Sequence, residues 1–167
     1  MGPVEEVEQI LRSMADMWDG EVVDLLDHAL QCAGNALADG ADDELVLASA
    51  LHDIGHALGA AEHRHDRAAR DWLEPRFGER VGWLAGAHVA AKRYLVATEP
   101  GYAATLSEVS VTTLGLQGGA GVDRTVTAHR WWPDAVRLRR YDDAAKVPGA
   151  QAPPIEDVVE VARRVLP

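Results

Sequence analysis

The sequence predicts an all-α protein, and three observations carry that expectation. Apolar residues recur at steps of three and four through most of the chain, no segment shows the alternation of a half-buried strand, and glycines and acidic caps fall where the apolar stripes stop. Val4, Val7, Ile10, Leu11 and Met14 mark a first helix over 4–18, stopped near Trp18-Asp19-Gly20. A second helix runs from Glu21 to Ala38 and is ended by Gly40. Asp42-Asp43-Glu44 supplies an N-cap and an acidic first turn for a third, Glu44 to Leu58, which Gly59 stops. Residues 59–66 form a polar, histidine-bearing loop, after which the helical pattern resumes over Arg67–Leu73, Arg80–Val96 and about Leu106–Leu116. From Gly118 to Pro154 the pattern weakens. Gly118, Gly119 and Gly121 open a loop, Trp131-Trp132-Pro133 punctuates it, and Asp134–Tyr141 offers one more helix. Pro153-Pro154 then precedes a closing helix, Ile155–Leu166, whose Val158, Val159, Val161 and Val165 face the core. With no repeat, low-complexity tract or linker, residues 1–167 are expected to form one domain.

Composition narrows the function. Acidic residues outnumber basic ones by 27 to 16, a formal charge of −11, so the chain would repel a phosphate backbone or an anionic membrane; neither nucleic acid nor membrane is an expected partner. No apolar run approaches the ~18–20 residues of a membrane span, and the N-terminus lacks a signal peptide's pattern, so a cytoplasmic location is expected. Cys32 is the only cysteine, which excludes an intrachain disulfide and a thiolate cluster. Any metal must therefore be held by nitrogen and oxygen.

The informative segment is His52-Asp53-Ile54-Gly55-His56, with His28 one helix earlier, His65 and His88 after it, and Asp142 far downstream. Imidazole and carboxylate suit first-row divalent ions, and a carboxylate's two oxygens can bridge a pair of them. On a continuous helix His52 and Asp53 would point about 100° apart and embrace one site at its edge. The short connection after Gly40 makes the second and third helices antiparallel neighbours, which brings His28 alongside. His52-Asp53 also sits in an apolar stretch, where an unpaired carboxylate is costly and a cation compensates it. Taken singly, a histidine on a helix is more often solvated or satisfied within the core; His63 and His129 are of that kind, and His56 can be read so or as catalytic. Glu21, Asp24, His28, Gln31 and Asn35 share one helical arc, either a solvated stripe or a polar wall of the site. His88 and Lys92 lie one turn apart on one face, a ligand beside a cation, which suits an anionic substrate held at the metal. Ser110, Thr113 and Gln117 recur at three- and four-residue steps and can donate to the same anion, or simply form a polar helix face.

These residues resemble the HD-domain superfamily and, within it, the PhnZ-type phosphonate-cleaving mixed-valent diiron oxygenases. The matching blocks are Gly20-Glu21, His28-Ala29-Leu30-Gln31-Cys32-Ala33, Ala50-Leu51-His52-Asp53-Ile54-Gly55-His56, His88-Val89-Ala90-Ala91-Lys92-Arg93-Tyr94-Leu95, Leu116-Gln117-Gly118-Gly119 and Lys146-Val147-Pro148-Gly149, spanning about residues 18 to 150. His-Asp alone is shared with many phosphohydrolases, whereas the later blocks are narrower. The resemblance implies a helical bundle holding two irons, Fe(II)/Fe(III), with O2 as co-substrate. One iron would be bound by His28, His52, Asp53 and Asp142, the other by bridging Asp53, His65 and His88. Asp53, His56 and Lys92 would be catalytic; Lys92 and Ser110 would hold the phosphonate, with Thr113, Gln117 and Arg139 as further candidates.

The implied reaction is O2-dependent cleavage of the C–P bond of a small 1-hydroxyalkylphosphonate, 2-amino-1-hydroxyethylphosphonate or an N-substituted relative, to phosphate and a carboxylate. A C–P bond lacks the leaving group of a phosphate ester, so activated water alone is a poor agent and redox metals suit the task. Trp18 stands where the family carries a tyrosine; an indole has no oxygen to cap an iron, but it can pack over a substrate ammonium, with Glu21 as the amine's partner, or close the first helix as a buried aromatic. Two other readings of the same residues are a metal-dependent HD-type phosphohydrolase and a non-enzymatic anion-binding module.

Overall fold

The computed structural model describes all residues 1–167 and contains eleven α-helices and no strand. The helices are α1 (Pro3–Ser13), α2 (Leu25–Ala38), α3 (Asp43–Leu51), α4 (Ile54–Ala57), α5 (His65–Phe77), α6 (Glu79–Gly86), α7 (His88–Thr98), α8 (Glu108–Leu116), α9 (Arg124–Thr127), α10 (Trp132–Ala144) and α11 (Ile155–Val165), with 3₁₀ turns at Glu62–Arg64 and Tyr102–Thr105. None is long and apolar enough to cross a membrane. The all-α expectation holds, while several boundaries move.

At the centre is α3, buried at every position from Leu45 to Leu51 and surrounded by α2, α6, α10 and α11. Asp42 starts it by accepting from the Leu45 amide at 2.9 Å. The first helix stops at Ser13 instead of reaching Trp18, and the second begins at Leu25 instead of Glu21. The cause is a compact reversal in which Asp16 adopts left-handed φ (59°), the Leu25 amide bonds Met17 O, and Asp24 caps α2 while also accepting from the Asp16 amide. Glu21 therefore lies on a turn outside α2, not on the helical arc with His28.

The third helix breaks at His52-Asp53 instead of continuing to Leu58. Asp53 leaves helical geometry (φ −98°, ψ 6°), and α4 restarts at Ile54 and ends beside Gly59, which takes left-handed φ (79°). The expected Arg80–Val96 helix likewise breaks at Ala87 into α6 and α7. These interruptions free main-chain carbonyls in the middle of a helical pattern, and the site below uses them. In the weak region, α10 runs beyond the expected Asp134–Tyr141 at both ends and α9 is an added short turn.

Gly55 fixes how α4 meets the start of α5. A Cβ placed there would lie 2.0 Å from the carbonyl oxygen of His65, so only glycine allows this approach. Gly55→Ala is expected to destabilise the protein by about 3 kcal/mol or more, roughly 10 °C in Tm, because main chain and not a flexible side chain must move. Calorimetric melting checks this, and an unchanged Tm contradicts it.

Candidate metal centre

Asp53 stands at the meeting point of four helices. Its Oδ2 lies 3.5 Å from His28 Nε2 and 3.3 Å from His52 Nε2, while its Oδ1 lies 3.4 Å from both His65 Nε2 and His88 Nε2. Asp142, from α10, adds Oδ1 at 3.3 Å from His28 Nε2 and Oδ2 at 3.4 Å from His52 Nε2. The six side chains thus divide into two groups that share one carboxylate: His28, His52 and Asp142 on one oxygen of Asp53, His65 and His88 on the other. The break between α3 and α4 makes this possible, since His52 and Asp53 turn into the same centre, contrary to the 100° separation expected on an unbroken helix.

Every ring is oriented through its other nitrogen. His52, His65 and His88 each place Nδ1 against the carbonyl three residues earlier, Ser49 O at 2.7 Å, Glu62 O at 2.6 Å and Ala85 O at 2.6 Å. His28 Nδ1 faces Ala145 O at 2.8 Å. A carbonyl only accepts, so each Nδ1 carries the proton and each Nε2 presents a lone pair inward, the tautomer of a metal ligand. His65 and His88 then bring two such nitrogens within 2.9 Å of each other, and buried His52 Nε2 has no hydrogen-bond partner. Lone pairs aimed at one another and an orphaned buried nitrogen are costly alone, and protons or metal ions satisfy them; the donor set, all imidazole and carboxylate, suits first-row metals including iron.

The electrostatics agree. Burial by itself would raise the Asp53 and Asp142 pKa values, yet both lie well below the usual carboxylate range, held by His52 and its neighbours at Asp53 and by Arg139 and His52 at Asp142. The centre demands positive charge. Without metal, the same carboxylates outweigh burial at His52 and lift its pKa well above the usual value, so protons and metal ions compete for one space.

A cavity opens beside the centre, lined on one side by Lys92, Ser110, Thr113 and Gln117. The buried Lys92 ammonium donates to Ser110 O at 3.0 Å and Thr113 Oγ1 at 3.0 Å, with Ser110 Oγ at 3.4 Å. Burial and, secondarily, the Arg139 charge push its pKa down to about 8. Lys92 is therefore cationic below pH 8 and loses its charge above it, so kcat/KM for an anionic substrate is expected to fall above pH about 8, and Lys92→Arg is expected to move that limb upward. A pH profile flat to pH 10 contradicts this.

The remaining expected site residues separate clearly. Glu21 reaches the cavity from its turn; Arg139 lines it too, but its guanidinium is committed to Asp142 at 2.8 Å and to Asp143. Gln117 Nε2 donates to Glu62 Oε1 at 2.9 Å. His56 borders the cavity, stacked on His65 with centroids 4.4 Å apart, its Nε2 3.8 Å from Glu62 Oε2. Trp18 is 62% exposed and does not line the cavity, and it is not a buried helix end either, because α1 stops five residues before it. Asp24 caps α2, Asn35 bonds Tyr141 O, and Gln31 pins the main chain of Val147, so none of the three meets the cavity. His63 is exposed and His129 stacks on Trp83. Glu62 and Lys146, which also line the cavity, were not singled out from the sequence. Lys146 follows Asp142 by four residues and opens the Lys146-Val147-Pro148-Gly149 block, which is the signal for it in the sequence.

No protein-family model matches the chain. Among characterised relatives, it is 35% identical to a hydroxymethylphosphonate dioxygenase of Gimesia maris over 93% of this chain and 85% of that protein. It is also 35% identical to a [1-hydroxy-2-(trimethylamino)ethyl]phosphonate dioxygenase (glycine-betaine-forming) of Leisingera caerulea, over 80% of this chain and 74% of that one. An uncharacterised protein, L432, of Acanthamoeba polyphaga mimivirus is 32% identical over 82% of this chain and 69% of its own.

Proposed function

The chain belongs to the PhnZ-type phosphonate dioxygenase family, and from that premise we propose that it cleaves the C–P bond of a small 1-hydroxyalkylphosphonate with O2 at a mixed-valent diiron site. The observation that supports this most is the partition of Asp53, one oxygen toward His28 and His52 and the other toward His65 and His88. His28, His52, Asp53 and Asp142 would hold one iron, and Asp53, His65 and His88 the other. When bound, the Fe(II)/Fe(III) pair supplies O2 reduction and Lewis acidity toward the chelated substrate.

The reaction balances without an external reductant: R–CH(OH)–PO3²⁻ and O2 give R–COO⁻, HPO4²⁻ and H⁺. The C–P bond breaks, the substrate loses four electrons, and O2 takes them. Lys92 with Ser110 and Thr113 holds the phosphonate oxygens by charge-assisted hydrogen bonds. Arg139 fixes the orientation of Asp142. His56, at the cavity wall beside Glu62, accepts the released proton at Nε2.

The test is phosphate release from hydroxymethylphosphonate with O2 uptake measured in parallel. One O2 consumed per phosphate, and no release under anaerobic conditions, is expected, together with the low-temperature electron paramagnetic resonance signal of an antiferromagnetically coupled iron pair. Phosphate release that continues unchanged without oxygen overturns the reading in favour of hydrolysis.

A further inference from the structure

The chemistry above leaves one carboxylate near the centre unused. Asp143 follows Asp142 directly on α10, yet it pairs with none of the histidines; its side chain is largely buried and turned onto Arg139 and Tyr102. Asp143 Oδ1 accepts from Arg139 Nε at 3.0 Å and, more closely, from Arg139 Nη2, while Oδ2 accepts from the Tyr102 hydroxyl. Arg139 meets Asp142 with the nitrogen that is left, Nη1, 2.8 Å from Asp142 Oδ2. Tyr102, Asp143, Arg139 and Asp142 thus form one line of side chains from the turn after α7 to the metal centre.

Both ends of this line are fixed. The Tyr102 amide donates to Glu99 O at 3.2 Å, and its buried ring lies beneath the Arg140 guanidinium, 5.5 Å from Cζ, which two hydrogen bonds tie to Glu99. At the other end the centre uses both oxygens of Asp142, with Oδ1 3.3 Å from His28 Nε2 and Oδ2 3.4 Å from His52 Nε2. A guanidinium tends to grip a carboxylate by two parallel hydrogen bonds. Such a grip on Asp142 would occupy both oxygens and set a full positive charge against the cation they would hold. Asp143 prevents both outcomes. It takes the Nε and Nη2 hydrogen bonds of Arg139, leaving a single nitrogen for Asp142, and it neutralises the guanidinium, so the charge of Asp142 stays available to a metal.

We propose that Asp143, with Tyr102 behind it, is a positioning residue for the His28/His52/Asp142 metal position: it restricts Arg139 to a one-point contact and thereby keeps Asp142 a metal ligand. Neither Asp143 nor Tyr102 lines the cavity, so their influence passes through Arg139. The proposal rests on the paired-iron part of the reading above and on nothing about the substrate.

The experiment is anaerobic calorimetric titration of the metal-free protein with Fe(II), with melting temperature recorded before and after loading. The natural chain is expected to take up two ions. Asp143→Ala is expected to bind one of them about tenfold or more weakly, as for the loss of an outer partner, with the other unchanged; Asp142→Ala identifies that ion by weakening the same one. Tyr102→Phe removes one hydrogen bond and no charge, and should weaken the same ion about threefold. Asp143→Glu keeps a carboxylate within a helical turn of Arg139 and should stay within about twofold of the natural chain. A merely structural part for Asp143 would lower the melting temperature equally with and without iron and leave both affinities alone. That result overturns the proposal, as does equal weakening of both ions, or weakening of the ion that Asp142→Ala spares. Should Asp143→Ala fail to fold, Tyr102→Phe decides, and unchanged affinities in it overturn the proposal. A natural chain that binds no iron sinks the paired-iron reading and the proposal together; with one ion bound, the proposal stands only if Asp142→Ala and Asp143→Ala both weaken it. The expected iron pattern without O2-dependent phosphate release sinks the substrate reading alone.

Discussion

Asp53→Ala is expected to empty both metal positions together and to lower turnover at least 10³-fold. The reason is that each oxygen of this one side chain faces a different pair of imidazoles. Removing it leaves the Nε2 atoms of His65 and His88, 2.9 Å apart, with no carboxylate oxygen beside them to draw in a cation; Glu62 stands on the Nδ1 side of His65. The other position keeps Asp142 but loses half its negative charge. Loss of a ligand that serves both ions exceeds the tenfold to hundredfold typical of an outer partner. Elemental analysis of the purified variant checks the outcome. Asp142→Ala is the contrast, because the histidines it approaches are His28 and His52 alone, and it should spare the His65/His88 position. A folded Asp53→Ala protein with a normal complement of iron contradicts the bridging assignment.

Lys92→Ala is expected to separate substrate binding from metal binding. The ammonium contacts Ser110 and Thr113 and none of the histidines, so the metal content should stay unchanged. A charge-assisted hydrogen bond to a buried anion contributes on the order of 1.5–3 kcal/mol, so kcat/KM should fall about 100-fold, with KM carrying most of the change. Iron content and steady-state kinetics together check this. An unchanged KM would remove Lys92 from the phosphonate station.

Much of the fold was legible because α1, α2, α5 and α11 bury apolar residues at regular helical steps, and because α3, apolar all round, opens on an acidic cap. The helix α10 was only partly legible for the opposite reason. Its buried face mixes Arg139 and Asp142 with Ala135, Leu138 and Tyr141, so two charges interrupt the apolar stripe that periodicity reads. The ends of α1 and α2 differ from the expectation because the reversal between them is closed by the Asp24 carboxylate, which accepts from the Asp16 amide and caps α2 at the Asp27 amide, a closure that periodicity does not register. At the centre, the residue types of the cluster announced a metal, but not the breaks at His52-Asp53 and Ala87, since the flanking sequence remains helix-forming on both sides. The pairing of Glu21 with Lys146, 125 residues apart, is visible only in three dimensions.

The four imidazoles take their bearings from carbonyl groups, and a carbonyl is common to every amino acid. An exchange at Ser49, Glu62, Ala85 or Ala145 keeps the oxygen that aims a ring so long as the new side chain fits, and at Ser49, Ala85 and Ala145 the space is fully enclosed. Aim is therefore a property of the backbone path, and an exchange of side chain disturbs a ring only by shifting that path. A side chain changed on the chamber wall, at Ser110 or Thr113, leaves every one of these carbonyls in place and alters only the lining that a small molecule meets.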